Sequence, residues 1–107
     1  MPQEPPPQAS VAVTPFADMS RERDQAYFCE GIAEEIRGAL SRVEGLRVAS
    51  RTSAFRSRPG GAVDSREVSR RLRVRNLLEG SVRKDGDRVR IAVQLSDMQT
   101  GYQLWAA

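Results

Sequence analysis

The groups that could do chemistry in this 107-residue chain are few, and their spacing narrows what they can do. Glu30 and Glu34 stand one helical turn apart, with Glu35 beside them. Together with Asp18 they could offer oxygen ligands to a hard cation. The plainer reading, preferred here, is the solvated acidic side of an amphipathic helix. Cys29 is the only cysteine, so no intramolecular disulfide can form. Glu30 adjoins it, whereas a reactive thiolate needs an electropositive setting, so Cys29 is expected to be a core or boundary thiol. The chain has no histidine, which removes the commonest general base and the commonest metal ligand. One cysteine without histidine gives no zinc site, and neither a GxGxxG sequence nor a P-loop is present. No nucleophile–base pair can be named, so the expectation is a protein that is not an enzyme and carries no cofactor or metal.

Two groups of residues remain as candidate binding sites. Phe16 and Asp18 follow the first apolar run, and Ser50, Arg51, Thr52 and Ser53 follow the second. If both runs are parallel strands, these residues gather beyond the carboxyl ends at a topological switch, where hydroxyls and a guanidinium can hold an anion. Ordinary turn hydrogen bonding, with Phe16 and Phe55 in the core, explains the same residues without a ligand. The second group is basic: Arg70, Arg71, Arg73, Arg83, Lys84, Arg88 and Arg90. Residues 1–46 carry four arginines against eight acids, a net −4, whereas residues 47–90 carry thirteen basic residues against five acids, a net +8. Such a surface attracts anionic partners or is simply solvated. The six aromatics are not interleaved with the arginines, as stacking on nucleic acid requires, so nucleic acid is not an expected partner beyond weak, salt-sensitive association.

The elements that must position these residues follow from periodicity. Residues 1–9 are rich in proline and read as a linker, leaving residues 10–107 as one domain. Val11 to Phe16 is a buried strand ended by Pro15, and residues 17–25 form a polar approach. Phe28, Ile32, Ile36, Leu40 and Val43 make one apolar stripe, predicting a helix over residues 26–43 that stops at Gly45. Leu46 to Ser50 alternates as an edge strand, and Pro59-Gly60-Gly61 marks a turn. Asp64 and Glu67 form a capping box at the start of a second helix, with Val63 and Val68 as its hydrophobic staple. Residues 76–83 form a third strand, Asp85-Gly86 a hairpin turn, and a fourth strand turns Val89, Ile91, Val93 and Leu95 toward the core. Thr100-Gly101 is a further turn before a fifth strand at Tyr102 to Trp105, expected to be cut short. The order is βαβαβββ, an α/β fold with two helices. No apolar run is long enough to span a bilayer, and the expected location is cytoplasmic, or periplasmic if a membrane segment lies upstream.

The phrases Pro15-Phe16; Tyr27, Phe28, Gly31 and Ile32; Ser50, Arg51, Ser53 and Phe55; Leu78 to Arg83; Gln94, Leu95, Asp97, Thr100 and Gly101; and Leu104-Trp105 occur in one order and spacing. In this the chain resembles the amino-terminal domain of TolB and its FlgO-type relatives, over roughly residues 10–105. The resemblance implies a small mixed five-stranded sheet in strand order 2-1-3-4-5 with strand 4 antiparallel, similar to anticodon-binding domains. Right-handed crossovers then put the two helices on opposite faces. Domains of this kind accompany class III nucleotide cyclases, winged-helix regulators, protein kinases and TPR repeats. The function so implied is a non-catalytic regulatory or protein-interaction module of a bacterial signalling protein. Its partners would be its own copies, as a homo-oligomer, or neighbouring domains. The alternatives are a small-ligand or anion sensor at the Phe16/Arg51 end and a weak nucleic-acid binder.

Overall fold

The first apolar run forms β1 (Ser10–Val13), all four residues of which are buried. A strand buried on both faces must have neighbours on both edges and cover above and below. In the computed structural model, which describes residues 9–50 and 65–107, it has both. β1 pairs in parallel with β3 (Arg47–Val48) on one side and with β4 (Asn76–Asp85) on the other. β4 continues through a hairpin into β5 (Arg88–Asp97), which pairs with β6 (Gln103–Ala106), so the path runs β3-β1-β4-β5-β6. Along it the five expected strands lie in the expected order.

A sixth strand corrects the five-stranded expectation. β2 (Ala17–Asp18) pairs in parallel with β4 through Ala17↔Ser81 and Asp18↔Val82. The first apolar run is therefore not one strand to Phe16, and residues 17–18 are not part of the loop. Thr14 still donates its N–H to the Leu78 carbonyl at 3.0 Å, but Pro15 has no N–H to continue the ladder. The chain steps aside, buries Phe16, and rejoins β4 two residues later.

The two helices lie on opposite faces, as the crossovers require. α1 (Ala26–Leu40) lays Ile32, Ala33, Ile36 and Leu40, with the buried Cys29, against Val11, Val13, Phe16, Leu78 and Val82. α2 (Ser65–Leu72) brings Leu72 to Ala12, Val74, Leu77 and Met98, which alternate with the first set along their strands. The helical stripe differs from the expected one at both ends: Phe28 is 42% and Val43 50% exposed. α1 ends at Leu40 because the bonding changes there: Ser41 still donates its N–H to the Arg37 carbonyl at 3.0 Å, but Arg42 and Val43 donate three residues back, to the Ala39 and Leu40 carbonyls at 3.2 and 3.0 Å. Gly45, with φ of +84°, bends the later turn into β3 rather than ending the helix. The capping box, the staple and the Pro59-Gly60-Gly61 turn lie outside the described residues and side chains.

The hairpin is longer than expected and its turn is shifted by one residue. Asp85 pairs with Arg88, so the loop is Gly86-Asp87, with φ of +60° at Gly86 alone, the pattern of a II′ turn. β5 alternates as read, but only Val93 and Leu95 pack against the core; Val89 is 48% and Ile91 42% exposed. The helix over that face packs on β1 and β2, leaving the distal ribbon uncovered.

The glycine of the Leu78–Arg83 phrase has a steric cause. A Cβ on Gly80 would stand 2.5 Å from Phe16 Cζ and 2.7 Å from the Ala92 carbonyl oxygen. The Phe16 ring thus occupies the place a side chain would take. Gly80→Ala is expected to destabilise the fold by about 1–3 kcal/mol, the range for overpacking, measured by urea unfolding. The pair Gly80→Ala with Phe16→Leu should cost less than the sum of the two single changes.

Candidate functional site

Two carboxylates carry most of the polar organisation, and both are committed to holding the chain. Asp18 sits at the end of β2 and reaches forward to the start of α1. Its Oδ1 accepts the Ser20 N–H at 3.0 Å and its Oδ2 the Gln25 N–H at 2.7 Å. Gln25 is the N-cap of α1 and makes no side-chain cap of its own, so Asp18 meets the positive end of the helix from seven residues away. Burial alone would raise the Asp18 carboxyl, but the Gln25 and Ser20 N–H donors and nearby Arg23 hold it below the ordinary carboxylate value. The buried Ser20 hydroxyl accepts the Lys84 N–H at 2.8 Å, fastening the same corner to β4.

Asp97, at the end of β5, does the equivalent work at the opposite end of the sheet. Its Oδ2 accepts Nε and Nη2 of Arg75 at 3.1 and 2.9 Å. Its Oδ1 accepts the N–H groups of Gln99 and Thr100 at 2.9 and 3.3 Å, and its carbonyl accepts the Gly101 N–H at 2.8 Å. Gly101 closes the turn with φ of +80°. The Arg75 backbone in turn donates to Ser10 Oγ at 2.8 Å and accepts the Met98 N–H at 2.8 Å. The Gln94–Gly101 phrase therefore encodes a turn locked to the start of β4. The Arg75 hydrogen bond is the main cause that keeps the Asp97 carboxyl below its ordinary value; burial opposes it, and the two turn N–H groups add to it.

Of the six residues of the candidate anion site, three lie among the described residues. Phe16 is buried in the core and Asp18 is occupied, while Ser50 is exposed after β3. Arg51, Thr52 and Ser53 lie outside the described residues. The acidic cluster on α1 is divided as well. Glu34 takes Arg37 through contacts of 2.8 to 3.1 Å, and no group of three acids, cysteines or histidines among the described residues could hold a metal ion. Cys29 is a core thiol: burial first, and the Asp18 charge second, push its pKa up.

Of the basic group, Arg70, Arg73, Arg83, Lys84, Arg88 and Arg90 are exposed, and the Arg71 side chain lies outside those described. Arg73 takes φ of +54° where the chain leaves α2. On the ribbon, Arg83 stands directly opposite Arg90, and Arg88 opposite Asp85. Lys84 and Val89, paired with each other, share the other face with Ile91. Arg83, Arg88 and Arg90 thus share one face of the ribbon with Asp85, and Lys84 stands on the other.

What sequence reasoning missed is an exposed apolar surface. Besides Val89 and Ile91 it includes Tyr102 (74%), Leu104 (56%) and Trp105 (51%). The signal was the uncharged run Gln103–Ala106 at the sheet edge. Beside it, an open hollow of about 500 Å³ is lined by residues of β4, β5 and β6, among them Glu79, Ser81, Ala92, Gln94 and Ala106. No helix among the described residues is long and apolar enough to cross a membrane.

No family model matches the chain. A protein of Rhizobium meliloti (strain 1021) named "Putative adenylate cyclase 3" is 50% identical over 107 residues, covering 96% of this chain and 18% of that protein. The chain therefore spans less than a fifth of the length of the curated relative it matches. Among solved structures, the LpoB C-terminal domain from Salmonella enterica superposes with a TM-score of 0.69 at 14% identity, over 94% of this chain and 79% of that one. TolB from Acinetobacter baumannii gives 0.62 at 16% identity, over 95% of this chain and 23% of that one. A PelC dodecamer from Paraburkholderia phytofirmans gives 0.56 at 21% identity, over 91% and 66%. The fold is TolB/LpoB-like, a mixed α/β sheet of six strands among the described residues.

The lowered carboxyl pKa values set the acid response. The stabilisation from Asp18 and Asp97 is complete above the ordinary carboxylate range, near about pH 4, and is lost as pH falls through their lower folded values. Asp97→Asn is expected to lower the melting temperature at pH 7 by roughly 5–10 °C and to flatten the loss between pH 4 and pH 2, read by circular dichroism. Cys29 is expected to stay unlabelled by a thiol reagent in the native protein at pH 7 and to label fully in denaturant.

Proposed function

We propose that the chain is a non-catalytic regulatory and protein-interaction module of a longer bacterial signalling protein built around an adenylate cyclase. The observation that carries this reading is the 50% identity running along 96% of the chain yet accounting for 18% of a protein with a cyclase name. A segment of that share acts beside the catalytic domain rather than in place of it. The distribution of polar groups supports the same reading. The buried Ser10, Thr14, Ser20 and Asp97 are engaged with backbone or Arg75, whereas large apolar side chains stand at the surface. A surface of that kind recognises protein.

The partners under this reading are neighbouring domains of the parent chain and further copies of the module. PelC, of the same fold, is a dodecamer, so self-association is within the reach of this architecture. The module would work in the cytoplasm, where a cyclase finds ATP; a membrane segment upstream would instead place it outside.

The test is made in the Rhizobium relative. Replacing the matching segment with a flexible linker of equal length is expected to change cyclase turnover, or its response to assembly, by about fivefold or more. The isolated module should convert no ATP. Unchanged turnover and unchanged assembly in the deletion protein would overturn the reading, as would ATP turnover by the module alone.

A further inference from the structure

We infer that the open edge of β5 from Arg88 to Ala92 is the docking site of the segment that follows Ala107 in the parent protein, so that the chain leaves this module at the tip of the ribbon. The inference rests on the reading above that the chain is one module of a longer protein, and it names where the module joins its neighbour. The ribbon of β4 and β5 is edged on one side only. Along β4, β2 pairs with Ser81 and Val82, Met19 donates its N–H to the Val82 carbonyl at 2.7 Å, and Ser20 Oγ accepts the Lys84 N–H at 2.8 Å. Along β5, β6 reaches only to Val93, and no strand among the described residues pairs with the outer side from Ala92 back to Arg88.

The ladder fixes what that edge presents. Val93 and Ala107 exchange both backbone hydrogen bonds at 2.9 Å. Alternation turns the N–H and C=O groups of Ile91 and Val89 the same way, toward the open side, while those of Arg90 and Arg88 turn to β4. Two donors and two acceptors therefore stand in a row, in line with β6. The Ile91 and Val89 side chains share the α1 face, and both are exposed.

Register selects the occupant. Trp105 stands opposite Leu95, Ala106 opposite Gln94 and Ala107 opposite Val93, an advance of one residue at a time. The shift in this ladder lies between Leu95 and Ser96, on the far side of Trp105. Ala107 already holds both of its ladder bonds, and Gln103 to Ala107 contain no proline or glycine to turn the chain away. A residue joined to Ala107 therefore falls opposite Ala92, the next opposite Ile91, and the fourth opposite Val89. The second and fourth satisfy the four open backbone groups and flank the two apolar side chains. A strand from another molecule would have to displace this covalent continuation, so the edge is taken by the chain itself. Five residues, matching Ala92 back to Arg88, carry it about 17 Å further along β5. The neighbouring domain then begins beside Arg83, Lys84, Arg88 and Arg90 rather than beside Val93.

The test compares backbone amide exchange in this chain and in the same chain extended by the next eight residues of its parent reading frame. The Val89 and Ile91 amides are expected to exchange at least about tenfold more slowly in the extended chain, at every protein concentration. Replacing the second added residue with proline, which has no N–H to give the Ile91 carbonyl, should restore fast exchange at Ile91 while circular dichroism stays unchanged. Exchange that the extension leaves unaltered would overturn the inference. So would slowing that survives the proline, or slowing that grows with protein concentration and so marks a second copy on the edge. Those outcomes leave the module reading to the cyclase deletion, whereas a reading frame that stopped at Ala107 would overturn both.

Discussion

Burying β1 on both faces is the condition from which the rest of the architecture follows. Each residue from Val11 to Val13 needs a backbone partner on either side and an apolar neighbour above or below. Val11 and Val13 call for one helix, Ala12 for another, and the two crossovers deliver them on opposite faces. The small Ala12 lets α2 and the Val74–Leu77 segment approach closely, while the two valines take the broader face of α1. β4 then serves β1, β2 and β5 at once, so its sequence is constrained at nearly every position. Gly80 is the sharpest case, because the ring that buries there comes from the break that Pro15 makes in the first strand.

Much of this was legible in the residues. The apolar run at Val11, the helix before Gly45 and the alternation along β5 each carry a period that survives folding. What failed did so for identifiable reasons. Phe28, Ile32, Ile36 and Leu40 are four residues apart, and each such step overshoots a full turn by about 40°, so the row slides around the helix. The buried set mixes steps of three and four and is centred on Cys29, leaving Phe28 on the flank. The strand period likewise assigned Val89 and Ile91 to the correct face, but it cannot say how far the covering helix extends. β2 is two residues long, too short for any period, and exists only because β4 offers an edge beyond Pro15.

The candidate site was less legible than the fold, because an aspartate in a turn and an aspartate in a binding site look alike in a sequence. Asp18 was assigned to an anion pocket by its position after the first strand. Its real partners are N–H groups at Ser20 and Gln25, and the second of these depends on where the helix begins. Asp97 was carried by the resemblance alone; its pairing with Arg75, twenty-two residues away, required the β4–β5 register to be known. In both cases the carboxylate satisfies backbone donors that folding would otherwise leave without partners.

The same register decides which charges share a face with the exposed apolar residues of the ribbon. Arg83 opposite Arg90 is an unfavourable cross-strand pair, weakened because both side chains reach solvent where charges are screened within about 8 Å. Two ribbons laid together on the Val89–Ile91 face would bring Lys84, which shares that face, toward its own counterpart, while Arg83 and Arg90 point away from it. β6 carries Leu104 and Trp105 without charge, and its ladder shifts register between Leu95 and Ser96, an irregularity of the kind that interrupts edge pairing. The ribbon arginines that look in the sequence like a binding patch thus stand on the face away from Val89 and Ile91, where they keep that side of the ribbon in solvent.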